Sequence, residues 1–162
     1  MMGKKSKILI AMDLIKRALH RKVRFSYLLW DSWYCCNKSI NYVCSKLMPQ
    51  GIHLVAMVKR DKQLYRYKNV GMTIKEIKGK SGKWITDHQT GIKYKSAKVM
   101  ILDKESSKKP ALRDSLVEVT MCFFKYPKVK NYRVIISTDL ERSALEILSL
   151  YLRRWLIEVL FQ

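Results

Sequence analysis

No stretch of this sequence is apolar enough over sufficient length to cross a membrane. The most hydrophobic run, 144–161, is interrupted by Glu146, Arg153, Arg154 and Glu158, each costly near a bilayer centre; a buried helix is expected there. The N-terminus has a basic start but neither a signal-length apolar core nor a small-residue cleavage site. The four cysteines, Cys35, Cys36, Cys44 and Cys122, are therefore read as reduced thiols of a cytoplasmic protein. They also lack a zinc pattern, because the adjacent pair Cys35 and Cys36 is followed by Cys44 and His53 at seven and eight intervening residues. Buried core thiols are the expectation. A Gly-rich phosphate loop and a Ser-His-Asp set are likewise missing.

Acidic side chains are scarce. In 162 residues there are 13 Asp and Glu against 33 Lys and Arg, a formal charge of +20. Such a surplus repels itself, and a polyanionic partner, nucleic acid or an anionic surface, is the usual reason to tolerate it. With 48% hydrophobic residues the chain can bury a core, which excludes a disordered basic tail. A single domain is expected at this length.

The segment Lys7 to His20 places Ile8, Leu9, Met12, Ile15, Ala18 and Leu19 on one side of a helix. Phe25 to Trp30 reads as a buried strand ending in Asp31. Asn37 caps a helix carrying Ile40, Val43, Cys44 and Leu47 at helical spacing, stopped by Pro49 and Gly51. The strand Ile52 to Val58 completes a βαβ unit with parallel strands. After Lys59, short alternating runs at Gln63 to Tyr67, Trp84 to Thr86, Ile92 to Tyr94 and Val99 to Leu102 are punctuated by glycines, as in antiparallel hairpins. From Lys59 to Lys109 there are 15 basic and 5 acidic residues, a net of +10. Two further strands are expected at Leu116 to Tyr126 and Tyr132 to Ser137. Ser143 and Glu146 then form the ends of a capping box that opens the last helix.

On that helix Tyr151, Arg154 and Glu158 fall at i, i+3 and i+7 and share a face. Arg154 and Glu158 fit an ordinary helix-surface ion pair; they equally fit a metal-ligating acid beside phosphate-contacting groups. Asp31 is ambiguous in the same way, as a turn cap or as a ligand at the carboxyl end of a parallel strand, where ligands collect in open α/β sheets. Tyr65, Tyr67, Trp84 and Tyr94 interleave with Arg66, Lys83, Lys93 and Lys95, a pattern that suits base stacking with phosphate neutralisation and also suits cross-strand packing. Trp33 and Trp155 are expected to pack beside the two acids, and His88 to lie in a solvated turn.

The run Tyr27-Leu-Leu-Trp-Asp-Ser-Trp-Tyr34 and the later run Tyr151-Leu-Arg-Arg-Trp-Leu-Ile-Glu158 resemble the DDE transposases of bacterial insertion sequences. In that family the second aspartate ends a strand as "DSW(Y/F)" and the glutamate sits in a Tyr-x2-Arg-x3-Glu-x6-Lys signature. The approach Ile135-Ile-Ser-Thr-Asp-Leu140 is similar as well, and the resemblance covers about Ile8 to Gln162. It implies a partial RNase H-like α/β core in three parts: 1–58 with the second acid, a basic antiparallel β insertion at 59–131, and 132–162 returning to the core.

The resemblance further implies that Asp31 and Glu158 are catalytic and metal-ligating. Tyr151 and Arg154 would hold DNA, joined by Arg66, Lys83, Lys93 and Lys95 of the insertion. Carboxylates are hard ligands for Mg2+ or Mn2+, and two such ions serve phosphodiester hydrolysis and strand transfer, the endonuclease chemistry of DNA transposition. Two positions depart from the family. The first aspartate has no counterpart, since Asp13 lies within the first helix, and the signature lysine would fall three residues beyond Gln162. The expected state is a fragment of a mobile-element transposase with compromised cleavage, acting on transposon ends and target DNA near the nucleoid. Its other expected partners are an intact transposase or a second copy, and no membrane. The competing readings are a non-catalytic basic DNA- or RNA-binding protein and an inhibitory transposase remnant.

Overall fold

The computed structural model describes residues 6–101 and 117–160, the side chains of 155–160 excepted. Within them the chain is mixed α/β, with one mostly antiparallel eight-stranded sheet and four α-helices. Ser6 accepts from the Leu9 N–H and opens α1, Lys7–His20. Strand β1, Tyr27–Trp30, helix α2, Asn37–Tyr42, and strand β2, His53–Met57, form the βαβ unit, with β1 and β2 parallel from Tyr27 opposite His53 to Trp30 opposite Ala56. Helix α2 is shorter than expected. It passes into a π turn at Val43–Leu47 and a 3-10 turn at Met48–Gln50, and Gly51 ends the run in the left-handed region at φ 77°, a conformation that costs a glycine little.

The second half supplies β3, Leu64–Tyr67; β4, Val70–Thr73; α3, Ile74–Lys80; β5, Ile85–Thr86; β6, Lys93–Ile101; β7, Val117–Lys125; β8, Arg133–Ser137; and α4, Ala144–Leu160. The two separate hairpin strands expected at Ile92 to Tyr94 and Val99 to Leu102 fall, over 93–94 and 99–101, within one nine-residue strand, β6, and Leu102 lies outside the described residues. Strand β4 and helix α3 were not anticipated. Strand order is β1-β2-β8-β7-β6-β3-β4, with β5 paired to β6, so β1 stands at one edge. Among the described strands only β1 and β2 run parallel. The stretch 59–131 does not form a separate sheet, because β7 pairs with β8, which pairs with β2.

Strand alternation sends successive side chains to opposite faces. Leu54, Ala56, Val119, Met121, Phe123, Val134 and Ile136 face a layer containing Ile15 of α1, Ile40 of α2, and Ile74 and Ile77 of α3. Val55, Cys122, Phe124 and Ile135 face Ala144, Ile147, Leu148 and Tyr151 of α4. The sheet is thus covered on both faces, which explains why β2, β7 and β8 read as nearly continuous apolar runs. Ser143 and Glu146 cap α4 reciprocally, at 2.8 Å from the Ser143 N–H to Glu146 and 3.3 Å from the Glu146 N–H to the Ser143 hydroxyl.

Candidate nucleic-acid interface

Helix α4 lies along β1 and links its two ends. Near its start Arg142 donates through Nε to the Tyr27 hydroxyl at 3.1 Å; near the end of the described side chains, Arg154 Nη1 stands 4.0 Å from Asp31 Oδ2. Asp31 follows β1 directly, at the carboxyl end of the parallel pair, and its Oδ1 accepts from the Ser32 N–H. The Asp31 side chain is 35% exposed and that of Arg154 19%. Residues 123 positions apart, 154 minus 31, are therefore brought together at one end of the sheet. Glu158 lies on α4 one turn beyond Arg154, and its side chain, with that of Trp155, falls outside the described residues.

Tyr151 corrects the expectation of a phosphate contact. It is buried against the sheet, and the Arg154 guanidinium lies 5.5 Å from its ring centroid. Burial pushes its hydroxyl pKa up, partly offset by Arg154. The ring supports the guanidinium from below, and the solvent-facing member of the pair is Arg154.

Trp33 is a second correction. It does not pack beside Asp31 as core; it is 73% exposed. Its indole is held by Lys59, whose Nζ sits 3.8 Å from the ring centroid, a cation–π contact. Because Lys59 follows β2 as Trp33 follows β1, both stand at the carboxyl end of the parallel pair. Arg60 and Lys78 lie 4.9 and 4.4 Å from the Tyr132 ring centroid, just before β8. Lys59, Arg60 and Lys78 thus add three cations held by aromatic rings. Sequence reasoning missed this group because it joins segments far apart in the chain; the signal available was Trp33 following Asp31 by two and Lys59-Arg60 following shortly after β2.

The cations expected on the insertion are dispersed. Arg66, Lys83 and Lys93 are exposed. Strand β3, which carries Arg66, is five strands from β1, about 24 Å at roughly 4.8 Å per strand. Lys95 is only 6% exposed, and its ammonium donates to the carbonyls of Lys78 and Gly82, so it ties the end of α3 to β6 instead of meeting solvent. Trp84, Tyr65 and Tyr67 pack on one core and Tyr94 on the other, which is the packing alternative for these aromatics. The turn at His88 is built by Asp87, which accepts from the Thr90 N–H and hydroxyl, and by Gly91 at φ 71°, where a Cβ would come within 3.2 Å of Pro127.

All four cysteines are free, and burial pushes three of the thiols up, to about 12 for Cys35 and Cys122 and about 11 for Cys44. Among the described residues no group of three His, Cys, Asp or Glu side chains is placed to hold a metal ion. The Asp31 carboxylate is a hard donor with open access, which suits Mg2+ or Mn2+ as one ligand of several. No helix of the described residues is long and apolar enough to cross a membrane.

No protein-family model matches the chain, and its comparison with curated proteins returns no match.

Proposed function

We propose that this chain is a DDE-type transposase core of RNase H-like fold that binds DNA at the carboxyl end of the β1–β2 pair. One observation carries the reading: Asp31 of the "DSW" motif and Arg154 of the Tyr-x2-Arg-x3-Glu motif, distant in sequence, stand 4.0 Å apart. Convergence of the two motifs on one end of the sheet is what a single composite site requires. Arg154, Lys59 and Arg60 offer cations to a phosphate backbone at that end, and the formal charge of +20 supplies long-range attraction. Asp31 and Glu158 are the acids assigned to Mg2+ or Mn2+, which when bound supply water activation and stabilise the leaving oxygen. Asp31 fixes one edge of such a site through its bond to the Ser32 N–H. Arg154 positions the scissile phosphate and balances the carboxylate's charge.

The same ion pair also favours a second reading, a binding module in which Arg154 neutralises Asp31 for structural reasons alone. The experiment that separates them is nicking of supercoiled plasmid by the purified protein in Mg2+ or Mn2+, beside Asp31→Ala and Glu158→Ala. Slow nicking lost in both variants supports the transposase site; salt-sensitive binding with no nicking, and no specific response to either ion, supports the binding module.

A further inference from the structure

We infer that Trp33, clamped by Lys59, is a stacking platform for an unpaired base of a single-stranded nucleic acid beside Asp31. The inference rests on the nucleic-acid reading of this end of the sheet and not on cleavage. Large aromatics are seldom left open to solvent, yet Trp33 is 73% exposed while Trp30, three residues earlier, is buried. The exposed ring is not loose. Lys59 Nζ covers one face at 3.8 Å from the centroid, which fixes the indole and lowers the ordering cost of a ligand arriving on the other face. The cation that orients the ring also carries a charge for the phosphate next to a stacked base, the pairing of aromatic face and basic group that single-strand binders use.

The neighbouring aromatics do not offer the same surface. Tyr132 has Arg60 and Lys78 near its ring and leans on Phe123. Tyr34 packs towards Trp30 at 6.4 Å between centroids. Trp33 is also the exposed aromatic nearest in sequence to Asp31, two residues on, so a base stacked there brings its backbone to the Asp31 and Arg154 end of the sheet. A duplex keeps its bases stacked on one another, so the ligand class is a single strand, a frayed end or an extruded base.

The test is direct binding of the full chain to oligothymidylate and to an abasic deoxyribose-phosphate oligomer of equal length and charge, followed by tryptophan fluorescence. Expected are tighter binding of oligothymidylate by at least about fivefold, the low end for one stacked base, and quenching on titration. Trp33→Ala should bind both oligomers alike, and Trp33→Phe should keep part of the preference while losing the quench. Because Trp33 is exposed, neither change removes core packing, and circular dichroism verifies the fold. Equal binding of the two oligomers by the wild type, or a preference that survives Trp33→Ala, overturns the stacking role and leaves the nucleic-acid reading standing. Failure of the wild type to bind either oligomer at low salt overturns both.

Discussion

The Tyr27 hydroxyl donates a 2.5 Å hydrogen bond to Asp139 Oδ2 across 112 positions of sequence. This bond ties the start of β1 to the loop that leads into α4, at the end of the strand opposite Asp31. Arg142 joins it by donating to the Tyr27 hydroxyl at 3.1 Å and pairing with Asp139 at 3.5 Å and with Glu146 at 3.1 Å. Thr138 secures the same corner, since its hydroxyl accepts from the Leu54 N–H at 2.8 Å. With α4 anchored here, the direction of its first turns sets where Arg154 arrives, so the polar corner positions the candidate site at the far end of β1.

The Asp139 carboxyl should give the protein an acid-labile component of stability. Burial acts to raise its pKa, but the Tyr27 hydrogen bond, the Glu141 N–H, His53 and Arg142 outweigh it, and the pKa is lowered. A carboxyl with a depressed folded pKa contributes stability that is present above its unfolded value and lost as pH falls through its folded value. Tyr27→Phe removes the main stabilising donor, with an expected cost of about 1–3 kcal/mol at neutral pH. Denaturant midpoints measured from neutral pH to below the ordinary Asp range should converge for variant and wild type as Asp139 protonates. A gap that stays constant over that range would mean the bond does not act through the charged carboxylate.

Lys95 and Lys93 are two residues apart on β6 and should behave oppositely. Lys95→Met strands two carbonyls that its ammonium serves, those of Lys78 and Gly82, so it should lower stability by about 1–3 kcal/mol with little effect on DNA affinity once folded. Lys93→Met, on an exposed side chain, should leave the unfolding midpoint unchanged. If Lys93 meets a phosphate, that variant also reduces the slope of log affinity against log salt by roughly one unit. A drop in DNA affinity for folded Lys95→Met would show that the buried ammonium reaches the ligand after all.

Much of this architecture is legible in the residues, and the parts that are not have physical causes. Helix α1 spans the Lys7–His20 that its apolar spacing marks out, and the reciprocal bonds of Ser143 and Glu146 match their spacing. Strand β6 is harder to see because the buried Lys95 breaks its apolar alternation; the carbonyls of Lys78 and Gly82 and the ring of Trp84 make that position tolerable. Helix α3 presents just Ile74 and Ile77 to the core among lysines and a glycine, too few for a periodic signal, although Thr73 and Glu76 spell its capping box. At the site, the position of Asp31 follows from the end of β1, and Arg154 stands one turn beyond Tyr151 within α4 by their spacing. The burial of Tyr151 and the exposure of Trp33 depend on tertiary neighbours that local spacing does not encode.

The Asp31 and Arg154 pair should matter more to binding than to folding. At 4.0 Å, with both side chains partly open to solvent, the pair is expected to contribute no more than about 1 kcal/mol to stability. In a double-mutant cycle of Asp31→Asn and Arg154→Met, the coupling in unfolding free energy should stay below that figure. Asp31→Asn alone, by removing a negative charge from the interface, should strengthen DNA binding at low salt in the absence of divalent ions. A coupling of several kcal/mol would instead make the pair a structural element of the fold.

The edge strand offers the last test, because its backbone is bonded on alternate residues. The His53 N–H donates to the Ser26 carbonyl at 2.9 Å, and in a parallel ladder this phase turns the N–H groups of Leu28 and Trp30 towards β2 and those of Tyr27 and Leu29 outward. Outside β1 lies an open groove of about 620 Å³ between it and α4, lined in part by Ser26, Tyr27, Leu29 and Arg153, which admits water to that side. Native-state hydrogen exchange by NMR should find Leu28 and Trp30 protected by about tenfold or more over Tyr27 and Leu29. Equal protection of all four amides would mean that the outer edge of β1 is paired in solution, and dilution would then tell whether a second copy supplies the partner: protection of Tyr27 and Leu29 that falls with protein concentration belongs to an intermolecular strand, and protection that does not belongs to the chain itself.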